Sequence, residues 1–428
     1  MNTTFLEKLY LYLNKKEDAV NDSSLPKNYF LLLFSSMFLK LGDTLSNPKT
    51  VLTWVMTYVN APIYLISLIV PIRESGSMLP QILLANYIQT KRKRKWIYIL
   101  GAILQFVSIF LIGIVAMFFK ETIAGWLIVM LLILFSLARS LCSISSKDIL
   151  GKTIPKQSRG KLKGYTVSIS GVLVLLAGLY LIYKSKSNAG IEFYSYILFF
   201  ASSMWLITAL FYYYLKEKPS TNVIDRKPLS SAFNKFKIVS NDLLFRKFII
   251  ARSLLLCSAL TAPFYVLLAQ KNIGDSSFLL GVFIIANGVA SIISAPFWGK
   301  MADISSKNVM SFASIIAALL GLFIVFIITF FPEYSKLYWL YPISFFILGI
   351  AHEGVRLGRK TYIVDMAEGN KRTDYVSVSN TIIGFILLIT GGISALASIF
   401  SIEAVLLVLS MFGFAGSYVS YTLKNVEI

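Results

Sequence analysis

Nine residues able to carry charge or exchange a proton lie inside long apolar segments: Lys40, Asp43, Arg73, Glu74, Arg139, Arg252, His352, Glu353 and Arg356. A charge at the centre of a bilayer costs about 3 kcal/mol or more unless it faces a partner or a wet cavity. Each is therefore a candidate for holding a charged solute or relaying a proton. Lys40 and Asp43 are three residues apart, as are Glu353 and Arg356, while His352 and Arg356 are four apart. Each set shares one helix face. Lys40 and Asp43 are expected either to neutralise each other or to line a cavity. Arg73 and Glu74 are adjacent, so their side chains diverge by about 100° and cannot simply pair. They lie about 18 Å into their helix, near the midplane. Their surroundings, PIRESGSMLPQ, are ill suited to face lipid. Arg252 stands near the end of its segment and is expected to snorkel toward water. His352, the sole histidine, reads equally as a neutral packed side chain or as a proton carrier. Asp43, Glu74 and Glu353 each have a cation close in sequence, so a solute competing for that cation could release or capture a proton.

Other chemistries fit the residues poorly. His352-Glu353 begins the zinc pattern H-E-x-x-H, but Arg356 occupies the place of the second histidine. Cys142 and Cys257 have no metal or redox spacing and read as small buried hydrophobes. Gly151-Lys152-Thr153 resembles the end of a phosphate loop, yet Ser146 stands where the first glycine belongs. Asp43 lacks the second midplane aspartate that an intramembrane protease needs. No repeated pore loop or single-sign ring of charge suggests a channel. No enzyme activity, cofactor or metal is expected.

The elements that position these charges follow from composition. The chain has 428 residues, 56% apolar and 14% charged, with a mean hydropathy of +0.71. About a dozen helices of about 20 residues account for roughly 240 residues, about the apolar total. That excludes a soluble enzyme, a coiled coil and a disordered chain. Hydropathy predicts twelve spans: 28–58, 62–87, 96–118, 122–146, 164–183, 191–215, 248–270, 277–299, 308–331, 337–358, 373–398 and 402–423. The first is interrupted at Pro48. The expected organisation is an N-terminal tail 1–27, a six-helix bundle 28–215, a central loop 216–247, a second bundle 248–423 and a C-terminus 424–428.

Thirty of the 41 Lys and Arg fall on the side of the chain ends and five on the other. This asymmetry predicts cytoplasmic termini and central loop in an inner or plasma membrane. It also explains the net charge of +20 without nucleic acid. The run Lys91–Lys95 reads as a topology signal touching anionic lipid. The N-terminus mixes acids and bases before any apolar run, unlike a cleavable signal peptide. Residues 3–14 read either as a helix lying flat on the membrane or as a frayed tail.

The halves repeat weakly but in order. Residues 48–70 parallel 263–285, each a proline, a short break and an apolar helix. Residues 137–155 parallel 350–369, placing Lys147 opposite Lys360 and Tyr165 opposite Tyr375. Lys147, Asp148, Arg359, Lys360 and Asp365 are read as gate or topology charges at the membrane face. A six-plus-six parallel repeat is the pattern of a transporter built from two bundles around a midplane site.

The string GKMADISSKN at 299–308 resembles the G-x-x-x-D-x-x-[GS]-[KR] loop of the major facilitator superfamily. Gly299, Asp303, Ser306 and Lys307 match it. The N-terminal copy has Ala85 for the glycine and Gln89 for the aspartate, followed by Arg92 and Lys93. Arg139 resembles the superfamily's fourth-helix arginine, with Ser143 where a glycine is usual. The resemblance implies a gating loop at 299–308 and a central cavity lined by helices 1, 4, 7 and 10. Those helices carry Lys40, Asp43, Arg139, Arg252 and the His352-Glu353-Arg356 set. The expected function is a secondary transporter working by alternating access, coupled to protons, for a small solute of anionic or zwitterionic character. One alternative is an exporter of hydrophobic or cationic compounds, although the fifth helix lacks the Gly-Pro pair that resembles an antiporter signature. The other is a non-transporting receptor or assembly factor, with a partner docking on 216–247 near Phe233 and Phe236.

Overall fold

The computed structural model describes residues 5–14, 24–81, 84, 87–88, 90–183, 190–219, 234–274, 276–366 and 371–426. Among the described residues there is helix and no strand. Twelve traverses follow in the expected order. The first is split into Leu25–Leu45 and Val51–Tyr58. The second is Ile63–Met78, the third Lys95–Phe118 and the fourth Glu121–Thr153. The fifth and sixth are Lys156–Tyr183 and Ile191–Tyr214. The seventh is split twice, into Leu243–Leu254, Cys257–Leu260 and Ala262–Ile273. The eighth and ninth run together as Ser277–Phe330, and the tenth, eleventh and twelfth are Leu340–Met366, Lys371–Phe400 and Ile402–Tyr421. Among the described residues, eight stretches are by themselves long and apolar enough to cross a bilayer. The first, second, eighth and tenth traverses are split, short or polar.

The breaks have local causes. Pro48 has no N–H to donate, so residues 46–50 run as turns, and the Asn47 side chain accepts from the Lys49 N–H at 2.8 Å. In the seventh traverse Pro263 falls in the first turn of its last segment, where a missing N–H leaves no bond unmade. The two breaks occupy equivalent places in the halves. The fourth and tenth helices outrun their hydropathy spans by whole turns, because their polar ends are still helical.

The expected loop at 299–308 is corrected by the structure. Helix persists on both sides, and only Ser305 leaves helical geometry, at φ −162° and ψ 102°. Lys307 Nζ donates to the carbonyls of Tyr421 and Leu423 at 3.3 and 2.8 Å, so it caps the end of the twelfth traverse. Ser305 Oγ donates to Asn425 Oδ1 at 3.1 Å. Ser306 is buried, Asp303 is exposed, and Gly299 has open space where a Cβ would sit. Ala85 and Gln89 lie outside the described residues. In the other half, the Glu217 carboxylate accepts from the backbone N–H groups of Arg94 and Lys95 at 3.0 and 2.8 Å, and so caps the start of the third traverse. Lys152 bridges Glu217 and Asp148, and Arg94 pairs with Asp148.

The N-terminal segment forms a helix, Phe5–Asn14, docked on the bundle. Tyr10 is fully buried, edge-on to Tyr29 at 5.2 Å, with its hydroxyl 3.1 Å from Ser158 Oγ. In the central interval, Asn234–Phe236 is a single 3-10 turn leading into the short helix Lys237–Asn241. Phe233 lies outside the described residues.

The halves meet along two seams, the second traverse against the eleventh and the fifth against the eighth. Both depend on missing side chains. A Cβ on Gly391 would stand 2.4 Å from Pro71 Cγ, and one on Gly281 would stand 2.8 Å from Ile182 Cγ1. Overpacking at such a contact costs about 1–3 kcal/mol. Gly391→Val is expected to lower the thermal midpoint in detergent by several degrees. Gly392→Val, where nothing lies within 4 Å of the added carbon, is expected to leave it unchanged; equal shifts would show that the seam is not tight.

Candidate functional site

A cavity of about 500 Å³ lies between the halves, lined from all four helices that resemble the superfamily's cavity helices and from the second, eighth and eleventh. Its lining residues run from the middle of the helices toward the side of the chain ends. Toward the opposite side the halves are in contact: Gln270 Nε2 in the seventh traverse donates to the Trp54 carbonyl in the first at 3.3 Å. Trp54, Val55, Tyr265 and Val266 are fully buried around it.

Asp43 organises the N-terminal wall. Arg139 grips it with both guanidinium nitrogens, at 2.5 and 2.7 Å, and Arg73 Nη2 reaches the same carboxylate at 3.0 Å. Arg73 also donates to the Ser46 carbonyl at 2.9 Å and lies 4.9 Å from the centre of the Phe135 ring. Ser46 sits at the break in the first helix, where the carbonyl is free to accept. One carboxylate thus ties the first, second and fourth helices. Forked Arg–carboxylate bonds are the strongest kind available for this.

Of the two alternatives for Lys40 and Asp43, closure on each other does not occur, and both line the cavity. Two guanidiniums occupy the carboxylate, and Lys40 is exposed on the cavity with no carboxylate within 4 Å among the described residues. Arg73 and Glu74 do diverge: Arg73 is buried, while Glu74 lines the cavity. Among the described residues no cation lies within 4 Å of the Glu74 carboxylate. Glu353 and Arg356 share a helix face as their spacing predicts, and they form an ion pair.

Arg252 does not snorkel, which is a second correction. It is buried and turned inward, donating to Ser379 Oγ at 2.5 Å and Asn380 Oδ1 at 2.9 Å. The hydroxyl and amide of the eleventh helix take the place of water. Arg252 does not line the cavity, but Asn380, which it holds, does. Gly299, Asp303, Ser306 and Lys307 are also away from it.

The structure adds three cations to the cavity wall. Arg359 and Lys360, read from sequence as membrane-face charges, line it because the tenth helix continues to Met366. Lys49 was not singled out at all. Its Nζ lies 3.1 Å from His352 Nε2. The other ring nitrogen, Nδ1, lies 3.2 Å from Ser258 Oγ, and Ser258 donates to the Leu255 carbonyl at 3.1 Å. Only the break at Pro48, opposite a break in the seventh helix, signals that a lysine there could turn inward. The lining in all holds Lys40, Lys49, Arg73, Arg139, Arg356, Arg359 and Lys360 against Asp43, Glu74 and Glu353. Such a site can bind an anion and can exchange a proton at a carboxylate or at the imidazole. Among the described residues no cluster of three or more His, Cys, Asp or Glu could hold a metal.

Two broken-helix halves around a charged central cavity define a multi-pass α-helical transporter. The sequence profile of the Major Facilitator Superfamily matches residues 32–381 and 248–426, and the chain belongs to that family. It is 24% identical over 388 residues to an uncharacterized MFS-type transporter of Methanocaldococcus jannaschii, covering 87% of this chain and 88% of that one. Its fold is similar to that of a D-xylose-proton symporter, with a TM-score of 0.68 at 14% identity, covering 93% of this chain and 98% of the symporter. A nucleoside transporter matches as well, with a TM-score of 0.68 at 14% identity and coverage of 93% and 100%.

Removing one partner of a buried ion pair costs about 3–5 kcal/mol, because the other charge is left uncompensated. Asp43→Asn strands two guanidiniums and is expected to be strongly destabilising. Arg139→Gln leaves Asp43 with Arg73 and should cost less. A double-mutant cycle on the two, read by thermal unfolding in detergent, should show a coupling above about 1 kcal/mol. Simple additivity would mean that the clamp contributes nothing to stability.

Proposed function

We propose that this chain is a secondary transporter that carries a small anion across an inner or plasma membrane by alternating access, coupled to protons. The supporting observation is the cavity wall, on which seven cations face three carboxylates. Two of those carboxylates are already engaged, Asp43 by Arg73 and Arg139 and Glu353 by Arg356. Lys40, Arg359 and Lys360 have no carboxylate within 4 Å among the described residues. A bilayer-embedded cavity of this sign gains by taking up an anion, since low surrounding dielectric strengthens the attraction. A cationic compound would meet net repulsion, which weighs against the exporter alternative.

In this reading the bundles 28–215 and 248–423 rock about the site, and the basic loops hold both termini in the cytoplasm. The cavity is then open to the cytoplasm, with the opposite side closed at Trp54 and Gln270. Proton coupling requires a group facing the cavity that is free to change its charge. Asp43 and Glu353 are tied to guanidiniums, which leaves Glu74 and His352.

The test is counterflow in proteoliposomes with pools of small anionic, zwitterionic and cationic metabolites. Exchange is expected with the anionic pool. Lys40→Gln and Arg356→Gln should each raise the half-saturating concentration about tenfold. Glu74→Gln, which removes a repelling charge, should lower it severalfold. Exchange confined to the cationic pool, or an affinity gain on losing Lys40, would overturn the anion reading.

A further inference from the structure

Lys49 and His352 sit at the deep end of the cavity, 303 residues apart in sequence and in opposite halves. An ammonium group can only donate. Its bond to Nε2 therefore requires that nitrogen to be bare, and the ring proton must sit on Nδ1. That placement agrees with the third partner: Nδ1–H donates to Ser258 Oγ, whose own proton goes to the Leu255 carbonyl. Three bonds in a row run in one direction, and they fix both the tautomer and the neutral state of His352. Each partner comes from a helix break, Lys49 beside Pro48 and Ser258 in the short segment Cys257–Leu260.

We propose that Lys49 and the proton compete for Nε2 of His352, and that this competition couples proton uptake to anion binding and to release of the contact between the halves. The proposal rests on the anion-transport reading and names its coupling residues. A proton entering from the cavity forms a new Nε2–H bond. The imidazole then carries two N–H donors and a positive charge, and the Lys49 ammonium, which keeps its three protons, can no longer bond there. Both Arg356 and Arg359 also face His352, and Lys49 lies in the field of Glu74, Glu353, Arg356 and Arg359. A displaced Lys49 therefore has two carboxylates within its field, and a bound anion would be a third acceptor. Protonation adds one positive charge to the site and frees another. The anion and the proton thus favour each other's binding, and by linkage the effect is equal in both directions. The contact lies between the sealed side at Trp54 and Gln270 and the open cavity, so breaking it removes one of the polar ties between the halves.

His352 is the only histidine, so its imidazole nitrogens give unambiguous signals in protein carrying ¹⁵N-histidine. In the parent, NMR at neutral pH is expected to show a protonated Nδ1 and a bare Nε2. In Lys49→Met the imidazolium signal should appear at a pH at least one unit higher than in the parent as the pH is lowered. An Nε2–H tautomer in the parent, or an unchanged titration in Lys49→Met, would overturn the proposal with no substrate involved. In proteoliposomes, His352→Gln keeps an oxygen acceptor for Lys49 but cannot take a proton. In this variant the ratio of anion-driven proton uptake to anion counterflow should fall tenfold or more, and the half-saturating anion concentration should lose its dependence on pH. Retained proton uptake would place the coupling elsewhere, at Glu74 for example. Absence of anion counterflow in the parent would instead sink the transport reading, leaving the NMR result to judge the Lys49–His352 contact by itself.

Discussion

A carboxylate in a bilayer has to be surrounded by enough positive charge and enough donors to make up for lost water. Asp43 meets that condition through Arg139 and Arg73, and the rest of the N-terminal half is arranged around it. The fork from Arg139 fixes the fourth helix against the first. Arg73 adds the second helix, and its spare donor goes to the carbonyl that the helix break exposes at Ser46. The break at Pro48 is thus an ingredient of the clamp and also what turns Lys49 toward the other half. One local defect in helix geometry serves both ends of the cavity.

The halves treat buried charge differently. In the N-terminal half one carboxylate bonds two arginines and cancels one of their two charges. In the C-terminal half Arg252 is buried against a hydroxyl and an amide, with no carboxylate within 4 Å among the described residues. Neutral oxygens accept from its two terminal nitrogens but do not cancel its charge, so the field of that half stays positive. The tenth helix continues the same trend with Arg356, Arg359 and Lys360 on one length of wall. An architecture that repeats in backbone is therefore unequal in charge, and the inequality gives the cavity its sign.

Much of this was legible in residue order. The number of traverses, the break at Pro48, the six-plus-six repeat and the placement of Asp43, Arg73, Arg139 and Glu353 on the cavity wall all follow from hydropathy and spacing. Local spacing was a poor guide to partners, however. Lys40 is the nearest cation to Asp43 along the helix, but a planar fork from a neighbouring helix makes two good bonds where an ammonium makes one. The end of an apolar stretch was likewise a poor guide to the end of a helix. Arg359 and Lys360 looked like interface charges because hydropathy falls before the backbone stops being helical. Lys49 escaped because its acceptor, His352, lies 303 residues away, a distance no periodicity reports. The motif at 299–308 named the right neighbourhood but not its form, since a single residue, Ser305, does the work of a loop.

The glycine seams bear on what sets the balance between conformations. Where Gly391 meets Pro71 neither partner has a freely rotating side-chain bond, and at the other seam Gly281 brings none to its contact with Ile182. A long side chain held at a sliding interface would lose and regain about 1–2 kcal/mol of rotamer entropy with every change of partner. Glycine and proline have almost none to exchange, so the seams are close to thermally indifferent to small relative rotations. The preference for one arrangement over another then falls to the few polar ties near the axis. A protein of this size can in that way be tipped by the gain or loss of one or two charges.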